Sequence, residues 1–150
     1  MSKGRLKKSG VPSEESEQKW LMEWSMQPSI REKYPELAML YHIPNENKDK
    51  ITATILKTMG VKKGVPDLHL PVPSGKYHSL YIEMKAIDGK PEQEQYWWAE
   101  HLKASGNAHA FCYGWKHAAE VLEWYLNLNQ PEQLFRGNKP VSMVMRCRTT

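Results

Sequence analysis

The segment "GVPDLHLPVPSGKYHSLYIEMKA", residues 64–86, constrains the fold more than any other part of the chain. Within it "PSGK" is turn chemistry: Pro73 fixes one backbone dihedral and Gly75 is free to take a positive φ, so the chain reverses near Gly75. Residues whose numbers sum to about 150 then face each other. That register pairs Leu68 with Ile82 and Leu70 with Leu80 on one face, and His69 with Tyr81 and Asp67 with Glu83 on the other. Met84 joins the apolar set. A slip of one residue would mix the two faces, so the turn and the hydrophobic pattern specify the same register.

Two carboxylates facing each other across a strand pair repel. A divalent cation between them removes the conflict, and Mg2+ suits the position because it takes hard oxygen ligands, commonly one or two carboxylates with water and substrate phosphate. Lys85 shares the face of Glu83, where its ammonium could orient an attacking water, favour its deprotonation or neutralise a phosphate. The constellation reads as metal-assisted phosphodiester hydrolysis. The competing reading is a salt-bridged hairpin in which Glu83 and Lys85 merely solvate an exposed strand face.

A chain of 150 residues is most economically one domain, long enough for a core without disulfides. Cys112 and Cys147 are isolated, with no CxxC spacing, so neither a zinc site nor a disulfide framework is indicated, and a reducing, cytoplasmic compartment fits. The basic, polar start has no apolar run after it and no stretch approaches membrane-spanning length, which disfavours secretion and insertion. Part of the formal net charge of +4 sits in residues 1–11, where Lys3, Arg5, Lys7 and Lys8 lie among small residues. This reads as a flexible basic arm; Lys7 and Lys8 either meet nucleic-acid phosphates or belong to an ordinary solvated terminus.

Ser13 followed by acidic residues, then Trp20, Leu21 and Trp24 at helical spacing, predicts a helix limited by Pro28. "ELAMLYHIP" reads as a strand, its first residues being compatible with a short helix, and after the polar turn "NENKDK" the segment "ITATILKTMG" reads as a helix stopped by Gly60. Beyond the hairpin come a helix from about Pro91 to Gly106 with Tyr96, Ala99 and Leu102 on one side, a buried strand "NAHAFCYG", and an amphipathic helix "WKHAAEVLEWYLNL". From residue 129 the pattern weakens to an extension in which only "VSMVM" hints at a strand. The order describes an α/β sandwich with a mixed central β-sheet flanked by helices and the hairpin at its middle, its polar face lining a cleft.

An acidic residue on the first helix, then "MGVKKGVPDLHLPV", "LYIEMKA" and a Gln shortly before a Trp, together resemble the VRR-NUC nucleases of the PD-(D/E)xK superfamily. The likeness spans about residues 12–126 and is closest to the small stand-alone members of phages and bacteria. The resemblance implies a restriction-endonuclease-like fold over residues 12–128, with Asp67 and Glu83 as metal ligands, the Met84 carbonyl as a further ligand and Lys85 as the catalytic lysine. It places Gln95, with Gln93 as an alternative, beside the phosphate or attacking water, and Glu14, with Glu17 as an alternative, as the first-helix residue. It further implies a Mg2+-dependent, structure-specific DNA endonuclease in which Mn2+ can substitute, acting as a homodimer on branched DNA such as Holliday junctions. A flap or fork nickase is the alternative within that class, and a non-catalytic nucleic-acid-binding module on the same fold is the alternative outside it.

Lys62 and Lys63, just before the Gly64 turn, read as contacts to the DNA backbone, with a solvated loop as the other option. His42 and His69 lie near the expected cleft but lack metal-ligand spacing, so a structural or substrate-facing role is expected of them. For Trp97, Trp98, Trp115 and Trp124 packing is the default and base stacking the alternative.

Overall fold

The computed structural model describes residues 1–44 and 50–128. In chain order the elements are α1 (Glu14–Met26), α2 (Pro28–Lys33), a 3-10 turn (Pro35–Met39), β1 (Tyr41–His42), α3 (Lys50–Thr58), β2 (Leu68–Leu70), β3 (Leu80–Lys85), α4 (Gln93–Ala104), β4 (Ala108–Tyr113) and α5 (Trp115–Leu126). The sheet order is β1-β2-β3-β4, with β1 and β3 antiparallel to β2, and β4 parallel to β3 across the α4 connection. This is the mixed α/β sheet flanked by helices that the sequence predicts.

The hairpin register is the one read from the sequence: Leu68 pairs with Ile82, His69 with Tyr81 and Leu70 with Leu80. At its tip Ser74 and Tyr77 exchange backbone hydrogen bonds around Gly75, which sits at φ 53°. Leu68, Leu70, Leu80, Ile82 and Met84 are at most 1% exposed and form the core with Leu21 and Trp24 of α1 and Ala118, Leu122 and Tyr125 of α5. On the opposite face Phe111 of β4 meets the ring of Tyr96 edge-on at 5.2 Å, so α4 covers that side. The two central strands thus hold the polar residues of β3 between layers, where burial makes their chemistry unusual.

Helix α1 starts where Ser13 accepts the Ser16 N–H on its side chain, as its sequence predicts. Pro28 ends α1 but also opens α2, because its fixed φ is tolerated at a first helical position. In "ELAMLYHIP" the first four residues belong to the 3-10 turn and only Tyr41–His42 pair as strand. The strand expected to be buried, β4, hides only Ala108 and Cys112, since it pairs with β3 alone at the edge of the described sheet. Of the expected inner side of α4, Ala99 is buried while Tyr96 is half exposed. Trp97 and Trp124 are likewise about half exposed, at 53% and 50%, although Trp97 stacks on His101 and Trp124 lies against Tyr77.

The segment read as a flexible basic arm has specific partners. Leu6 pairs with Pro12, the Ser16 hydroxyl takes the Arg5 N–H and donates to the Arg5 carbonyl, and Trp20 Nε1 donates to the Ser2 carbonyl. The turn residues 45–49 and the extension 129–150, including "VSMVM", lie outside the described residues. Among the described residues no helix is long and apolar enough to cross a membrane.

Candidate active site

Period two along β3 puts Glu83 and Lys85 on the face turned away from Ile82 and Met84, and both are buried, Glu83 at 3% exposed beside Gln95 of α4 and Lys85 at 5% beside Glu14 of α1. The reading in which these two solvate an open strand face is therefore excluded. Asp67, one residue before β2, reaches across the hairpin so that its Oδ2 accepts the Met84 N–H at 2.8 Å. The three residues picked from facing arms of the hairpin do come together at the carboxyl end of β3.

The Lys85 ammonium lies 3.4 Å from Glu83 Oε1 and 3.5 Å from Glu14 Oε1, between a buried and a half-exposed carboxylate. Gln95 enters from the first turn of α4 and donates from Nε2 to Glu83 Oε1 at 2.6 Å, while its Oε1 accepts the Glu92 N–H at 2.8 Å. The backbone bond fixes which way the amide faces, as in a capping box, so the helix start itself aims the NH2 group at the carboxylate. Gln93 is exposed and points into a neighbouring groove, leaving Gln95 as the glutamine at the site.

Glu14 and Glu17 have different tasks. Glu17 is buried and its Oε2 accepts the Trp115 N–H at 2.7 Å, satisfying a free donor at the start of α5. Glu14, one turn earlier, is the first-helix residue that faces Lys85.

Burial pushes the Asp67 carboxyl above its ordinary range, an effect that the Met84 N–H partly offsets and the Glu14 charge reinforces. Glu83 is pushed up to about 8, first by burial and then by the charge of Asp67, with Lys85 pulling the other way. Glu83 Oε2 is buried and has no hydrogen-bond partner. An orphaned carboxylate oxygen beside a second carboxylate is a position that a hard cation satisfies. Among the described residues no group of three or more His, Cys, Asp or Glu is placed to hold a metal ion by side chains alone.

His42 Nδ1 lies 2.8 Å from the Asp67 carbonyl, and His69 bridges Tyr41 and Ser79 while stacking on Tyr81 at 4.1 Å; both are structural partners of the site. Lys7 pairs with Asp88 at 2.8 Å just past the end of β3, and Lys8 is exposed. Lys62 and Lys63 are exposed, and Lys63 pairs with Glu94 at 3.0 Å. Cys112 is a free, buried thiol that burial pushes up to about 12, a core group and not a nucleophile.

A mixed sheet between helices, with a buried glutamate, a partly buried aspartate and a buried lysine converging at the end of a central strand, defines a nuclease-type α/β domain. The family model of the VRR-NUC domain matches residues 12–116, and the chain belongs to that family. A solved structure described as a VRR_NUC domain protein is 27% identical, with a TM-score of 0.67 over 80% of this chain and 93% of that one. A comparison with curated proteins gave no match.

Proposed function

We propose that residues 12–128 form a metal-dependent endonuclease that hydrolyses backbone phosphodiesters of DNA. The observation that carries this reading is the buried Glu83 Oε2 without a partner, set beside Asp67 and Lys85. Asp67, Glu83 and the Met84 carbonyl would hold Mg2+, or Mn2+ in its place. Bound there, the ion supplies Lewis-acid activation and neutralises charge on the phosphate. Lys85 orients the attacking water and stabilises the negative charge that builds as the water oxygen joins phosphorus and the sugar oxygen leaves. Glu14 positions the Lys85 ammonium, and Gln95 holds the Glu83 carboxylate in the plane its ligand role needs. Lys62, Lys63, Lys7 and Lys8 serve the DNA backbone, which gives affinity without sequence preference.

A homodimer acting on branched DNA such as Holliday junctions is the assembly we propose. Helix α3 and the turn after it support it: Ile51 and Ile55 of α3 and Met59 just past its end recur every four residues, are 73%, 54% and 76% exposed, and the helix has no buried residue. Such a stripe fits the same stripe on a second copy.

The test is incubation of the protein, Asp67→Ala and Lys85→Ala with labelled four-way junction, flap, nicked and linear duplex DNA in Mg2+, Mn2+ or EDTA. Metal-dependent cutting lost in both variants supports the reading, with paired symmetric cuts pointing to junction resolution and flap-limited cutting to a nickase. Binding without cutting in either metal would replace it with a non-catalytic module.

A further inference from the structure

We infer that the groove beside the carboxylates is a binding site for an unpaired nucleotide of the cleaved strand, stacked on Trp97. This rests on the nuclease reading above and names the DNA that the site accepts. The groove has a volume of about 580 Å³ and is lined by Lys62, Lys63, Gln93, Glu94, Trp97 and Trp98. That size falls within the range of small-ligand sites.

Its position ties it to the chemistry. Lys62 and Lys63 lie in the loop that delivers Asp67, and Gln93 and Glu94 directly precede Gln95 on α4. The groove is therefore built on the loop that carries Asp67 and on the helix start that carries Gln95. Specific contacts hold the aromatic wall: Trp98 Nε1 donates to the Lys63 carbonyl at 3.0 Å, and Trp97 meets Trp98 edge-on at 5.4 Å and stacks on His101 at 3.9 Å. With those partners in place Trp97 still exposes about half of its surface. An indole with about half of its surface open offers a stacking face to a planar ligand.

The chemistry of the wall selects the ligand. Indole surfaces take bases of any identity by stacking, and exposed lysines take the backbone that links them. Continuous duplex hides base faces inside the helical stack, so an aromatic wall rewards flaps, gaps and junctions with unpaired nucleotides. Specificity of this kind reads DNA structure and not sequence.

The test is anisotropy of a fluorescein-labelled 12-nucleotide oligothymidylate and of a labelled blunt duplex, in EDTA, with wild type, Trp97→Ala and Trp97→Phe. Loss of one stacked base predicts that Trp97→Ala weakens oligothymidylate binding by at least about fivefold, while Trp97→Phe stays within about twofold of wild type. Duplex binding is expected to change by less than about twofold in either variant. Equal oligothymidylate binding by Trp97→Ala and wild type, or a proportional loss on duplex, overturns the inference. The phenylalanine variant separates lost stacking from lost folding. Failure of the nuclease reading has another signature: no cutting of any DNA in Mg2+ or Mn2+, with the Trp97 effect on oligothymidylate binding intact.

Discussion

Gln95 donates from Nε2 to Glu83 Oε1 at 2.6 Å while its carbonyl oxygen is held by the Glu92 N–H. The N-terminus of α4 therefore orients a carboxylate on β3, and Glu83 Oε2 is left without a protein partner. Gln95→Ala is expected to lower metal affinity or cleavage rate by about 10- to 100-fold, the usual cost of losing the group that orients a ligand. Gln95→Glu should be no better, since it sets a new carboxylate against Glu83. Magnesium titration of cleavage rate checks both.

The two glutamates of α1 should separate stability from activity. Glu17→Ala leaves the Trp115 N–H without its acceptor in a buried setting and is expected to cost about 1–3 kcal/mol in urea unfolding. Glu14→Ala removes a half-exposed group and should leave the urea midpoint nearly unchanged while slowing cleavage.

The raised carboxyl of Glu83 links metal, pH and stability. Its folded value of about 8 lies above the ordinary 4.5, so between these values the folded chain keeps a proton that the unfolded chain has released. Stability conferred by that proton is complete below about 4.5 and is lost as pH rises through 8, by up to about 1.4 kcal/mol per pH unit. Glu83→Gln should flatten this fall and melt higher than wild type at pH 8 in EDTA. Mg2+ should raise the melting temperature of wild type and not of the variant.

His109 gives the opposite slope. Burial, aided by the Lys103 charge, lowers its imidazole from 6.5 to about 4, and its Nε2 is buried without a partner. Above pH 6.5 both states are neutral; as pH falls toward 4 the unfolded chain takes up the proton first and stability drops. His109→Phe should remove that acid-side loss, measured as the difference between the two proteins' urea midpoints from pH 7 to pH 4.

The exposed stripe on α3 has a direct test in solution. Ile51→Glu with Ile55→Glu is expected to convert a dimer to a monomer in light scattering and to abolish paired cuts on a four-way junction, with single-strand nicking retained. A wild-type protein that scatters as a monomer at every concentration would remove the dimer from the mechanism.

The sequence by itself determined the hairpin and the identity of its acids and lysine. Alternation with period two and a Pro-Ser-Gly turn allow only one register, and that register carries Asp67, Glu83 and Lys85 to one place. Local signals also placed the start of α1 at Ser13 and the ends of α3 and α4 near Gly60 and Gly106, each at positive φ. Long-range packing decided the rest. Glu14 and Glu17 lie three residues apart on one helix, and only the approach of α5 shows that Glu17 is taken by Trp115 while Glu14 faces Lys85. The unusual acidity of Glu83 and the open face of Trp97 arise from what covers or fails to cover them, and burial belongs to the assembled layers, which a local pattern does not encode.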